Sequence, residues 1–400
     1  MRFLREKSLQ NRENTPVYPA ILGGFFRYIH SLGHNNMALP ITTATNKKQC
    51  AVIGGGVIGL SIAWRLLQAG VNVTIFERNT LANGATNAAA GMLAPQIEAE
   101  PSEEKLLNFL LQSKALWQNF VTALEAASGM TVDYRTEGTL EVAMDGDQVR
   151  HIRDRYTYLQ NLGLHMTWLS AAECRAHEPY LGRSVQGGIY SASDHQVDNR
   201  KLATALEIAV RKTGGIIREH TDVLHFMQNN GRVTGVQLAT GTENFDTVIV
   251  TTGAWTQSFL GKGFPMQVSV RPVKGQMLCV QMDAANPLIR HVVRSPDIYM
   301  VPRLDGRLLI GATVEEKGFD TKVTFGGMRQ LIEAAWEVLP ALDEYPVIET
   351  WAGLRPGTLD DAPILGKTPI KNLLLAAGHY RHGILLTPLT AKIISEIVLQ

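Results

Sequence analysis

The sequence predicts an α/β protein in which two parts interleave, one on a parallel sheet and an α+β part on a mainly antiparallel sheet. Three observations predict it. Strand, glycine turn, helix and strand follow one another from Cys50 to Glu77. Short buried strands that run into glycine recur far downstream, in "FDTVIVTTG" and "NLLLAAG". Between them lie segments that alternate apolar and polar residues and carry a hairpin signal.

Residues 1–48 stand apart as an amino-terminal extension. "MRFLREKSLQNRENTP" is polar and basic, "YPAILGGFFRYIH" briefly apolar, and "NNMALPITTATNKK" linker-like. Polar residues separate the basic start from the apolar run and no small-residue cleavage site follows, so it does not read as a signal peptide. The stretch is expected either to be disordered or to lie upstream of a true start at Met37.

From Cys50 the pattern is regular. "CAVIG" is a short buried strand. "VIGLSIAWRLLQAG" follows as a helix with Ile58, Ile62 and Leu66 on one face and Gly70 closing it. "VNVTIFE" is the second strand. The turn between the first strand and the helix, "GGGVIG", matches GxGxxG at Gly54, Gly56 and Gly59, with Val57 and Ile58 opening the helix. The first glycine permits the tight turn, the second lets a pyrophosphate approach the backbone, and the third lets helix and strand pack closely. The first helical amides then face the phosphates. Glu77, followed by Arg78, ends the next strand, where a carboxylate accepts from ribose hydroxyls and disfavours a 2′-phosphate. The pattern marks a Rossmann-like dinucleotide domain and leaves NAD and FAD both open. "NGATNAAAGMLAP", Asn83 to Pro95, adds a run of small residues that lets backbone come close to a flat ligand.

The alternating segments are Tyr134 to Met144, Ser269 to Met282 and Ile298 to Thr313, the last with Asp305-Gly306 as its hairpin turn. The chain therefore divides into an extension (1–48), a discontinuous nucleotide domain (49–135, 195–266 and 350–400) and a substrate domain (136–194 and 267–349). Near the end, "WAGLRPGT" wedges Arg355 between Leu354 and a Pro-Gly turn. An arginine does not shed its charge, so it needs an anion. Asp360 or Asp361 could serve, or a ligand could bring it.

Composition narrows the partners. Over 400 residues the net charge is only +1, with 45% hydrophobic and 19% charged residues, which argues against nucleic acid. The three cysteines are scattered without CxxC or zinc-ligand spacing, as expected of packed thiols in a reducing compartment, and no metal site is expected. The most apolar run, Ala51 to Trp64, is far shorter than the ~20 residues a bilayer needs, so no membrane partner is expected and the location reads as cytoplasmic.

Taken in order, "AVIGGGVIGLSIAWRLLQAG", "GATNAAAGMLAP", "FDTVIVTTGAW", "YMVPRLDGRLLIGAT", "WAGLRPGTLDDAPILG" and "LLLAAGHYRHGILLTP" resemble the FAD-dependent amine oxidases of the D-amino-acid oxidase class, and within it the glycine oxidase branch. The likeness spans residues 49 to 400. It implies a Rossmann-like FAD-binding domain with FAD held in extended form, and noncovalently, since no cysteine lies in the C-terminal region where a related branch attaches its flavin. Gly54 to Gly59, Glu77 and Arg78 would hold the ADP half. Thr86, Ala89, Gly91 and Met92 would line the flavin, with Val223 near the adenine and Thr252-Gly253 close by. Gly383, Ile384 and Leu385 would bring backbone to the flavin edge, and His379 would be structural or flavin-adjacent, as would His382. The substrate carboxylate would be bound by Arg355 and Tyr299, with Arg381 at the pocket. The implied reaction moves a hydride from a small amino acid or amine (glycine, sarcosine or a small D-amino acid) to flavin N5. The imine then hydrolyses to a 2-oxo acid and ammonia, and molecular oxygen is reduced to hydrogen peroxide, as in thiamine thiazole biosynthesis. Val314 stands where some relatives carry Met, which reshapes the pocket wall. A quinone-linked dehydrogenase and a tRNA-directed or inactive flavoprotein of the same fold are the alternatives. The preferred amine is not legible, nor is the oligomeric state, for which a homo-oligomer is compatible.

Overall fold

The computed structural model describes residues 47–100 and 104–400. Apart from Lys47 and Lys48, the expectation for the amino-terminal extension lies outside the described residues. Two large sheets organise the rest. The first has six strands in the order Ile364–Lys367, Leu373–Ala377, Thr247–Val250, Gln49–Ile53, Asn72–Phe76 and Ile216–Arg218. All its pairings are parallel except the edge strand Ile364–Lys367. The central strands are buried on both faces, which is why they read as continuous apolar runs and not as alternation. A small antiparallel sheet (Val223–Asn229, Arg232–Leu238, Gly241–Asn244) shares its core.

The fingerprint helix Val57–Gln68 departs from the single apolar face expected for it. It is buried almost all round, with Arg65 and Gln68 exposed, because helices Asn199–Lys212 and Thr387–Leu399 both pack on it. Helix Glu104–Ser128 covers these two in turn. The caps of the flanking helices follow from their sequences: Asp198 accepts the amides of Arg200 and Lys201, and Ser170 and Glu173 form a reciprocal capping box.

The second sheet has eight strands, in the order Val347–Gly357, Arg271–Gln281, Arg307–Gly311, Tyr299–Pro302, Val292–Arg294, Thr139–Ala143, Gly187–Ser191 and Thr167–Ser170. It is antiparallel except between Val292–Arg294 and Thr139–Ala143. Asp305 and Gly306, the latter at φ +86°, turn the expected hairpin. Helix Phe325–Val338 seals one face through Leu331, Ala335 and Val338.

Two sequence readings shift here. Pro356 and Gly357 do not make a turn: they end the strand Val347–Gly357, which pairs with Arg271–Gln281 from Val347 to Gly357. The division expected at residue 350 cuts that strand, which stays with the antiparallel sheet. Its carboxy-terminal half delivers Arg355 towards the parallel sheet's glycine turns.

Candidate active site

A single cavity of about 820 Å³ runs from the fingerprint turn to the eight-stranded sheet, a volume at the large end of small-molecule sites. Its first end is the dinucleotide turn. Gly54, at φ +111°, folds back under Thr251, and a side chain on Gly59 would drive into backbone at Gly54. Gly54, Gly56, Val57 and Ile58 face the cavity, while Gly59 is the packing glycine beneath them. Thr86 Oγ1 accepts the Val57 amide at 3.0 Å, and among the described residues the Ile58 and Gly59 amides have no acceptor. Open first-turn amides are the standing anion site of a helix N-terminus. Glu77 accepts the Gly55 amide at 2.8 Å and the Asn79 amide at 2.9 Å, so its carboxylate is locked in place with lone pairs to spare for hydroxyls. Arg78 stacks on Trp255, 4.2 Å from the ring centroid, and Val223, Thr252 and Gly253 line the same end.

The middle is the small-residue segment. Thr86, Ala89, Gly91 and Met92 line the cavity. The segment is pinned from behind by residues far away in sequence. Asn199 Nδ2 donates to the Thr86 carbonyl at 2.8 Å, Trp351 Nε1 to that of Ala88 at 3.1 Å, and Arg303 Nη2 to that of Ala90 at 2.8 Å. Gly91, at φ +72°, has no room for a side chain against the Val197 carbonyl. Gly383 and Ile384 close the opposite wall. Leu385 lies behind that wall, where its carbonyl accepts from Ser113 and Trp117 at 2.7 and 2.8 Å.

At the far end stand Tyr299, Arg355 and Arg381, brought to one place by three elements. Arg355 Nη1 donates to the Thr313 carbonyl at 3.1 Å, while the Tyr299 hydroxyl beside it donates to Met277 Sδ at 3.2 Å. Among the described residues no carboxylate pairs with it; Asp361 pairs with Arg381 instead, at 3.5 Å. Arg303, two residues beyond the cavity-lining strand's Val301, shows the contrast. It is buried, bonded to Gln196, Val197, Ala90 and Asn199, and 3.8 Å from Asp198. Both terminal nitrogens of Arg303 are spent on protein acceptors, whereas Arg355 keeps donors for the cavity. Gly275 makes room for Arg355: a Cβ there would sit 2.6 Å from Nη2. Leu354 and Pro356, either side, are buried. Burial pushes the Tyr299 phenol up, so it stays protonated and can donate. Val314 reaches the cavity but is 67% exposed, at its mouth.

His379 lies in the wall with its Nε2 3.1 Å from Thr390 Oγ1, and burial pushes it down to about 3. His382 is pushed well below its ordinary range by burial and by Arg381. Both are neutral imidazoles at neutral pH. Sequence reasoning missed Glu98, Arg294 and Gly275, which reach the cavity from segments without a motif; the small-residue run that ends at Pro95 was the nearest signal for Glu98.

A dinucleotide turn with open amides, a glycine-rich middle and a guanidinium without a carboxylate partner among the described residues define a flavoprotein oxidoreductase site, and the residues present fit an extended FAD. The family model "FAD dependent oxidoreductase" matches residues 49–397, and the chain belongs to that family. It is 38% identical over 355 residues to the bifunctional protein ThiO/ThiG of Synechocystis sp., covering 87% of this chain and 51% of that protein. It is 35% identical to glycine oxidase of Geobacillus kaustophilus, covering 88% and 93%. The solved glycine oxidase from Bacillus cereus superposes with a TM-score of 0.83 at 31% identity, over 88% of this chain and 95% of that one. The chain thus spans about half the length of the bifunctional relative and nearly all of the glycine oxidases. Among the described residues no helix is long and apolar enough to cross a membrane.

Proposed function

We propose that the chain oxidises a small amino acid or amine such as glycine, sarcosine or a small D-amino acid, with FAD held noncovalently and oxygen as the final acceptor, in the thiazole branch of thiamine synthesis. The products are an imine that hydrolyses to the 2-oxo acid, ammonia and hydrogen peroxide. The observation that carries this reading is Arg355: its fork faces the cavity beside Tyr299 with no carboxylate of the described chain to neutralise it. A substrate carboxylate supplies that charge. Two parallel guanidinium–carboxylate bonds fix the carboxylate's plane, and the Tyr299 hydroxyl adds a third donor.

Bound FAD supplies a two-electron acceptor for the substrate's α-hydrogen. The chain's own work is orientation. The Thr313 carbonyl and the buried Leu354 and Pro356 restrict Arg355, so the α-carbon is presented in one pose. His379 and His382, kept neutral by burial, serve the wall and not proton transfer. The named site residues on the fingerprint, Gly54 to Gly59 with Glu77, would hold the pyrophosphate and ribose, and the 86–92 segment with Gly383 to Leu385 would hold the flavin.

The test is peroxide release from the purified, flavin-loaded protein with glycine, sarcosine and D-alanine in parallel. Turnover of at least one is expected, and none on all three would overturn the reading. Arg355→Ala should raise KM at least tenfold with flavin still bound. Loss of flavin in that variant would return Arg355 to a structural role.

A further inference from the structure

Among the described residues, a largely buried carboxylate at the substrate end accepts no hydrogen bond. Glu98 lines the cavity, its side chain 16% exposed. Its oxygens lie 3.9 Å from Arg294 Nη1 and 3.7 Å from His382 Nδ1, both beyond hydrogen-bond length. Two carboxylates near it in the fold have closer partners. Asp194 accepts the Gln96 and Ile97 amides at 3.2 and 2.7 Å, and Glu141 pairs with Arg155 and, at 3.5 Å, with Arg294. The same two bonds from Asp194, with Arg294 Nη1 on the Ile97 carbonyl at 3.4 Å, fix the backbone immediately before Glu98. The fold therefore spends three long-range contacts on placing a carboxylate whose own acceptors stay open. An open, half-buried carboxylate is costly unless something else occupies it.

Resting on the reading that Arg355 takes the substrate's carboxylate, we propose that Glu98 binds the amino group of the same substrate and takes one of its ammonium protons. An amino acid arrives as a zwitterion, and Arg294, Arg355 and Arg381 all line this end of the cavity. Their combined charge repels an ammonium, which Glu98 offsets. Asp297 also reaches the cavity, but it is exposed at the rim, where water competes. In the transfer one N–H bond breaks, one O–H bond forms on Glu98, and the nitrogen keeps the electron pair. The neutral amine is the form FAD can oxidise, and the proton leaves later to solvent through the cavity mouth. The charged and titratable groups facing Glu98 are Arg294 from its strand, His382 from the Tyr380–His382 turn, Arg155 from helix Gly146–Asn161, Asp194 from the loop before His195, and the Tyr299 hydroxyl. His382 does not compete for the proton, because burial and Arg381 keep it neutral.

Glu98→Gln keeps size and shape and removes the charge. Steady-state peroxide release on the best amine is measured from pH 6 to 10, beside the affinity of acetate, a carboxylate without nitrogen, read from the flavin absorbance. The expected result is a fall in kcat/KM of about 100-fold at pH 7. It should shrink as pH nears the amine's own pKa, with acetate bound as tightly as before or more tightly, and Glu98→Asp should recover part of the loss. Unchanged kcat/KM in Glu98→Gln overturns the proposal. So does a parallel loss of amine turnover and acetate affinity, which would make Glu98 a structural counterion for Arg294. Wild-type protein that oxidises no amine would instead overturn the underlying amine-oxidase reading, before any variant is made.

Discussion

Gly275 is the sharpest lever on the site, because it acts on Arg355 without touching it chemically. In the sheet Gly275 pairs with Gly353, and Arg355 lies opposite Val273 on the same strand pair. A methyl at 275 would sit 2.6 Å from Nη2 and 2.7 Å from Cζ of Arg355. Nonbonded carbon contacts settle at ~3.5–4.0 Å, so the guanidinium has to move by about 1 Å. The clash is with the far end of a flexible side chain, and the φ of Gly275 is not positive, so the strand itself accepts alanine. A misplacement of that size costs about 100-fold in a catalytic alignment, equivalent to about 2.7 kcal/mol. That agrees with losing one to two charge-assisted bonds at ~1.5–3 kcal/mol each. Gly275→Ala should therefore lower kcat/KM about 100-fold in peroxide release. Flavin stoichiometry should hold, and stability should be unchanged or raised by ~0.4–1 kcal/mol through the unfolded chain. Full activity in this variant would refute the argument that the guanidinium works where the structure puts it.

Other outcomes follow from neighbouring residues. Arg303→Ala should destabilise by ~2–5 kcal/mol and release flavin, since it leaves the buried carbonyls of Ala90 and Val197 without their donor, although Asp198 keeps Arg307 at 2.8 Å, whereas Arg355→Ala should leave the melting temperature nearly unchanged; equal thermal shifts would refute the contrast. Gly91→Ala, forced into a left-handed backbone against the Val197 carbonyl, should cost at least ~1–2 kcal/mol and weaken FAD binding, as read by flavin fluorescence on dilution. His379 titrates near 3 folded and ~6.5 unfolded, so its contribution is full above pH 6.5 and is lost on acidification, by about 1.4 kcal/mol per pH unit down to 3. Burial pushes Asp194 the other way, up to about 7 despite two amide bonds, so its contribution is full below 3.8 and is lost as pH rises towards 7. Melting curves against pH should thus flatten at the acid side in His379→Gln, and an unchanged slope would refute the assignment.

Much of the fold was legible because its signals are local. The Gly54–Gly59 turn needs glycine for reasons contained within six residues, and alternation from Ile298 to Thr313 with Asp305-Gly306 specifies a hairpin on its own. The fingerprint helix was misjudged in one respect: a periodic apolar face was expected, but partners on several sides bury it almost entirely. The caps at Ser170 and Asp198 are local signals too, each marking the start of a helix. The site was legible only where a motif carried it. Tyr299, Arg355 and Arg381 belong to short recognisable stretches, while Glu98 and Arg294 sit in none, and Gly275 looks like any strand glycine.

What the sequence by itself determined is the chemistry that needs only neighbours: a dinucleotide turn, a buried parallel sheet, a hairpin sheet, and an arginine that requires an anion. What only the tertiary structure decided is which charges meet. Arg303 reaches the Ala90 carbonyl across 213 residues, and Trp117 reaches that of Leu385 across 268. Asp361, six residues from Arg355, pairs with Arg381 instead. Side-chain contacts of this kind depend on how two sheets lie against each other, and proximity in sequence does not carry that information. The open fork of Arg355 and the open carboxylate of Glu98 in one cavity are products of that packing.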